Sequence, residues 1–143
     1  MTDPTIDPHN LQRFVAAQAP VIDQVRAELR AGRKASHWMW FIFPQIAGLG
    51  RSETARFYAI GSRDEAAAYW AHPVLGKRLE ECTRQVNAVE GASVEQIFGA
   101  VDAMKFRSCM TLFAAVASEH TAFGDALQKY FRGAPDKATL ELI

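Results

Sequence analysis

The chain has 143 residues, enough for one domain with a single sizeable hydrophobic core. Hydrophobic residues make up 49% of it, which argues against disorder, and sixteen basic side chains cancel sixteen acidic ones. That balance disfavours bulk nucleic-acid binding through many phosphates and leaves room only for a local basic pocket.

Residues 1–9 are polar and read as a flexible N-terminus without the apolar stretch of a signal peptide. Asn10 reads as the N-cap of a first helix, with Leu11, Phe14, Val15 and Gln18 along one face. Pro20 interrupts it. A second helix is predicted from about Val21 to Ala31, stopped by Gly32, with Arg30, Arg33 and Lys34 suiting the negative end of its dipole. Trp38 to Phe43 is the longest apolar run and reads as one strand or a buried helix turn. It falls far short of the ~20 residues of a membrane span.

Ser52 begins a short helix through Ala55 and Tyr58. Ser62 with Glu65 forms a capping-box pattern before "EAAAYW", which His72-Pro73 ends. Pro73 launches a long helix with Val74, Leu75, Leu79, Cys82 and Val86 on its buried side. Ser93 with Gln96 makes a second capping box, followed by a helix from Phe98 to Val116. "TAFGDALQKYF" and "PDKATLELI" read as shorter terminal helical pieces. No segment alternates with period two between turn signals, and no repeat or linker interrupts the chain. The expected fold is mainly α: a single compact multi-helix domain over residues 1–143, with at most one or two short strands.

Cys82 and Cys109 lie far apart without a C-x-x-C pattern, so neither a disulfide scaffold nor a zinc site is expected, and a reducing cytoplasm is the default location. His37 and His72 each lack a second histidine three or four residues on, so no metal is expected. Either imidazole suits acid–base work, and either also suits a structural hydrogen bond. No cofactor motif is present: "GLGRSE" lacks the lysine of a P-loop and the third glycine of a dinucleotide fold.

Three features nevertheless point to chemistry. The aromatic run is core by composition, yet Trp38 or Trp40 also offers a flat stacking surface. Gln45, Gly48, Gly50 and Ser52 follow it, where a glycine turn and a helix start with Arg51 alongside read as a phosphate cradle or as a plain turn with an N-cap. In "GKRLEE", Arg78 is the better anion ligand, because its guanidinium fork fits phosphate bidentately; a solvated surface explains the same letters. The third feature is "FGAVDAMKFRSCMTLF". Asp102 and Lys105, three apart, sit amid Val101, Met104, Phe106 and Met110, with Ser108 on a neighbouring face. Charges on so apolar a helix are expected to be partly buried and paired, either as a pocket or as a structural ion pair.

The segments "LQRFVAAQ", "GRKASHWMWFIFPQIAGLGRS", "YAIGSRDEAAAYWAHPVLGKRLEECT", "IFGAVDAMKFRSCMTLF" and "FRGAPDKATLELI" together resemble domain-of-unknown-function family eighteen-ten, often mislabelled "calpastatin". The resemblance spans nearly the whole chain and implies a small α-rich fold without an established reaction. Ile22, Cys109 and Trp70 depart from the family's usual tyrosine, serine and leucine, which makes Ile22 and Cys109 poor functional candidates. In addition, "WMWF", "LGKR" and "MKF" are similar, in order, to segments of the NADAR group, linked to NAD and ADP-ribose chemistry. That group's early catalytic glutamate has no counterpart here.

The expectation is therefore a cytoplasmic protein that binds, and hydrolyses or transfers, a nucleotide-type ligand of NAD or ADP-ribose character by N-glycosidic chemistry. His37, His72, Asp102 and Lys105 are the catalytic candidates. Trp38, Trp40, Gln45, Gly48, Gly50, Ser52, Arg78 and Ser108 are the ligand-binding ones. The alternative is a non-catalytic interaction or regulatory module whose polar stripe only pins the core. A small phosphate-bearing molecule is the expected partner, with no membrane; the sequence leaves the oligomeric state open.

Overall fold

Asp7, rather than Asn10, starts the first helix, α1 (Gln12–Gln18). Its two carboxylate oxygens accept from Leu11 N at 2.7 Å and Gln12 N at 3.1 Å, while Asn10 takes a left-handed φ of 50°. A carboxylate satisfies two of the N–H groups a helix start leaves open, and its charge suits that end of the dipole. The computed structural model describes residues 7–117 and 121–143, so for residues 1–6 the expectation of a flexible N-terminus lies outside the described residues.

After Pro20 comes α2 (Ile22–Arg30), which ends as expected at Gly32, φ +75°. The N–H groups of Gly32 and Arg33 return to Leu29 O and Glu28 O and close the last turn. The aromatic run forms one helical turn, α3 (Met39–Ile42), not a strand. No neighbouring strand exists for it among the described residues; the β-type pairing there is an isolated bridge between Ile46 and Ile60. Trp38, Met39, Ile42 and Phe43 are buried, and Trp40 and Phe41 are half-buried.

Three serine caps act as their spacing predicts. The side chains of Ser52, Ser62 and Ser93 accept from the third N–H of α4 (Glu53–Phe57), α5 (Arg63–Ala71) and α7 (Val94–Phe98). Gln96 completes its capping box, whereas the Glu65 carboxylate turns to Gly61 N and Arg13. Between them runs α6 (Leu75–Asn87), capped by His72 Nδ1, which accepts from Val74 N and Leu75 N. Val74 itself is exposed, contrary to its assignment to the buried face.

The helix expected from Phe98 to Val116 is divided. Gly99, φ +83°, ends α7, and α8 (Ala100–Val116) begins beyond it. Two further helices, α9 (Ala122–Phe131) and α10 (Lys137–Leu142), complete a mainly α single domain. At its centre α8 packs against α5, α7, α9 and α10, while α6 joins α2, α5 and α9. Phe43 sets its ring edge-on to Phe98 and Phe106, which stack on each other, so α3 is fixed against the α7–α8 corner. On the other side Arg13 ties α1 to the α4–α5 connection through Phe57 O, Ala59 O and Glu65. Among the described residues, no helix is long and apolar enough to cross a membrane.

Candidate functional site

The first turns of α8 and the single turn α3 meet at one edge of the molecule. From α8, Asp102 and Lys105 reach outward; from α3, Trp40 presents its ring, with the Lys105 ammonium 5.5 Å from the ring centroid. Trp40, Gln45, Gly50 and Lys105 line one small cavity together with Met39, Phe43, Ile46 and Tyr58. Its volume is about 10 Å³, the space one water molecule needs. Four of the twelve sequence candidates thus share one cavity, and Asp102 joins them through Lys105.

Asp102 holds two cations. Its Oδ2 lies 3.0 Å from Lys34 Nζ, and its Oδ1 lies 3.6 Å from Lys105 Nζ. The Lys34 side chain is 9% exposed, Asp102 20% and Lys105 28%, so the arrangement runs from a buried ammonium to an open one. The flanking side chains explain this gradient. Phe106 and Met110 are buried as expected, but Val101 is 71% and Met104 55% exposed, so the charges are enclosed on one side only. Two ammonium groups around one carboxylate leave a net positive charge at the open end. That suits an anion, and the carboxylate remains an acceptor for hydroxyl groups.

From sequence, Lys34 reads only as a cation that suits the end of α2. Its ammonium instead leaves that helix end, donates to Ser36 O at 2.7 Å and lies 5.0 Å from the Trp38 ring centroid. One signal was available: between Glu28 and Glu53 the chain carries Arg30, Arg33, Lys34 and Arg51 without a single acidic residue. Any of its cations that is buried needs a carboxylate, and Asp102 supplies one to Lys34.

Other candidates serve the fold. Trp38 is 1% exposed and donates Nε1–H to Glu28, so it offers no stacking face. Gly48 takes a φ of +107° that L side chains rarely adopt, and Gly50, besides lining the cavity, is packed so closely that a Cβ would stand 2.5 Å from that of Ala55. Ser52 Oγ is taken by Ala55 N, and α4 has only five residues; the supposed phosphate cradle is a turn and an N-cap. Arg78 donates to Gln18 Oε1 at 3.3 Å on the α1 side. Ser108 Oγ lies within hydrogen-bond distance of Met104 O and Asp136 Oδ2, where α10 docks. His72 faces a separate groove beside Asp7, His9 and Gln12. His37 is exposed on the segment that leads into α3. Burial pushes the thiol of Cys82 up to about 12 and that of Cys109 upward as well, so neither is a nucleophile near neutral pH.

The crystal structure of the conserved hypothetical protein Rv1873 from Mycobacterium tuberculosis is similar to this chain at 52% sequence identity and a TM-score of 0.94. The similarity covers 96% of this chain and 98% of that one. No curated protein matches. The family described as Protein of unknown function (DUF1810) matches residues 8–143, and the chain belongs to that family.

Proposed function

We propose that this protein binds a phosphate-bearing, nucleotide-type ligand of NAD or ADP-ribose character at the Trp40–Lys105 edge. There it cleaves the ligand's N-glycosidic bond, or transfers the glycosyl group, in the cytoplasm. One observation carries the reading: Trp40, Gln45, Gly50 and Lys105, from separate segments, surround one cavity beside a carboxylate shared by two lysines. Lys105, the more open ammonium, meets a phosphate or a ribose hydroxyl. Asp102 stabilises the positive charge that develops at the anomeric carbon as its bond to the base nitrogen breaks. Water adds its oxygen to that carbon and gives a proton to an acid–base group as the base nitrogen takes the bond's electron pair. Nicotinamide then leaves neutral, whereas an adenine-type base takes a proton from that group as it leaves. His37 supplies that group in this scheme.

The cavity is too small for a base, so base and sugar approach from outside, with the half-buried Trp40 ring as the flat surface. The similarity of "WMWF" and "MKF" to the NADAR group supports the reading, because Trp40 and Lys105 are the parts that meet. "LGKR" lies elsewhere, with Arg78 held by Gln18.

Titration calorimetry with ADP-ribose tests this. Wild type is expected to bind below millimolar ligand, and Lys105→Ala to bind at least tenfold more weakly. No heat from wild type at millimolar ADP-ribose refutes the proposal. The rival reading, a non-catalytic module, draws on how completely Lys34 and Asp102 satisfy each other. It predicts that Asp102→Ala lowers the melting temperature while no nucleotide binds.

A further inference from the structure

Glu28 lies at the end of α2, outside the cavity, and accepts more hydrogen bonds than closing a helix end requires. Its Oε1 takes Ala35 N at 2.6 Å, Ser36 N at 3.0 Å and Trp38 Nε1 at 3.0 Å. Its Oε2 takes the Ser36 hydroxyl and Gln24 Nε2. Five donors converge on one buried carboxylate, four of them from the short stretch between Ala35 and Trp38. The same stretch carries two of the three groups that Lys34 Nζ touches: the Ser36 carbonyl and the Trp38 ring. Asp102 is the third.

We propose that Glu28 is a positioning residue for the site: by fixing Ser36 and Trp38 it holds the Lys34 ammonium, and Lys34 in turn holds Asp102 facing Lys105. Glu28 acts through these groups and touches no ligand. The chain of contacts runs from Glu28 to Ser36 and Trp38, then to Lys34, Asp102 and Lys105 beside Trp40, with no step bridged by an assumed group. A lysine has a long flexible stem, and its cost in rotamer entropy is lowest when every contact of its ammonium is already rigid. A site so pre-set meets its ligand without rearranging.

The inference rests on the proposed ligand reading for its affinity arm but not for its geometric arm. The geometric arm records the ¹H–¹⁵N signal of the Lys34 ammonium, which exchanges slowly enough to be seen only while buried and held. Wild type shows it, and Glu28→Gln loses it while the amide spectrum keeps the pattern of the fold. Ser36→Ala, which removes one of the five bonds and keeps the carbonyl, retains it. In the affinity arm, Glu28→Gln and Lys34→Met each weaken ADP-ribose binding at least tenfold, Lys34→Arg recovers most of the loss, and Ser36→Ala changes it less than threefold.

Should Glu28→Gln not fold, Lys34→Met decides, since it leaves all five bonds of Glu28 in place. Wild-type affinity in that variant overturns the proposal, as does a Lys34 signal that survives in folded Glu28→Gln. If wild type binds no ADP-ribose, the ligand reading fails, and the ammonium signal still decides whether Glu28 positions Lys34.

Discussion

Burial alone would raise the pKa of Glu28, but the hydrogen bonds from the Ser36 hydroxyl, Ala35 N–H, Gln24 and Ser36 N–H outweigh it and hold the carboxyl down at about 2. The unfolded chain titrates near 4.5, so between the two values the unfolded state binds more protons than the folded one. The stabilisation is full above about 4.5 and is lost as pH falls toward 2. It is on the order of 3 kcal/mol, of which roughly 2 kcal/mol is gone by pH 3. Urea denaturation at pH 7 and pH 3 checks this: Glu28→Gln is expected to show a smaller difference than wild type by that amount. Equal differences in the two proteins contradict it. Arg13 and Glu65, both about nine-tenths buried, form an ion pair that joins α1 to α5. Arg13→Ala strands the Glu65 carboxylate and is expected to lower stability by about 3–5 kcal/mol, read as a shift of the urea midpoint at constant slope.

Some helix starts and ends are written in adjacent residues: a serine that accepts from the third N–H, or a glycine or proline just past the last turn. Ser52, Ser62 and Ser93 were therefore readable as caps, and so was the stop at Gly32. The start at Asp7 is hard to read because its carboxylate reaches forward four and five residues, past an asparagine of equal capping propensity that lies nearer the helix. The break at Gly99 was missed because "FGAVDAM" keeps a helical apolar pattern straight through the glycine. Close helix packing gives a paired prediction. A Cβ on Gly76 would lie 2.1 Å from the Trp70 backbone oxygen, so Gly76→Ala must force α5 and α6 apart, at about 3 kcal/mol or more. Gly124, on α9, has nothing within 4 Å of its own Cβ position, and Gly124→Ala is expected to stabilise by about 0.5–1 kcal/mol. Thermal melts of the two variants should move in opposite directions; a shared direction contradicts the packing account.

At the scale of the whole molecule, the fold brings two sequence segments together that composition alone marks as unusual: a cationic aromatic stretch and a charged pair on an apolar helix. Their residue types are legible in the sequence: Trp40, Gln45, Gly50 and Lys105 line one cavity, and Asp102 pairs with Lys105 beside it. Lys34 reads from sequence only as a cation at a helix end, and nothing in the sequence singles out Glu28, because their roles arise from contacts with the loop that follows and with α8. Trp38, Ser52, Ser108, Arg78 and His72 do not line the cavity with Trp40 and Lys105, and each has a hydrogen-bond partner within the fold. The most direct measurement of the central claim is a ¹H–¹⁵N spectrum of wild type titrated with ADP-ribose. Saturable shifts at the Trp40 indole, Gln45, Gly50 and the residues around Lys105 are the expected result. Shifts confined to the groove beside His9 and His72, or none at millimolar ligand, would contradict the assignment of the site.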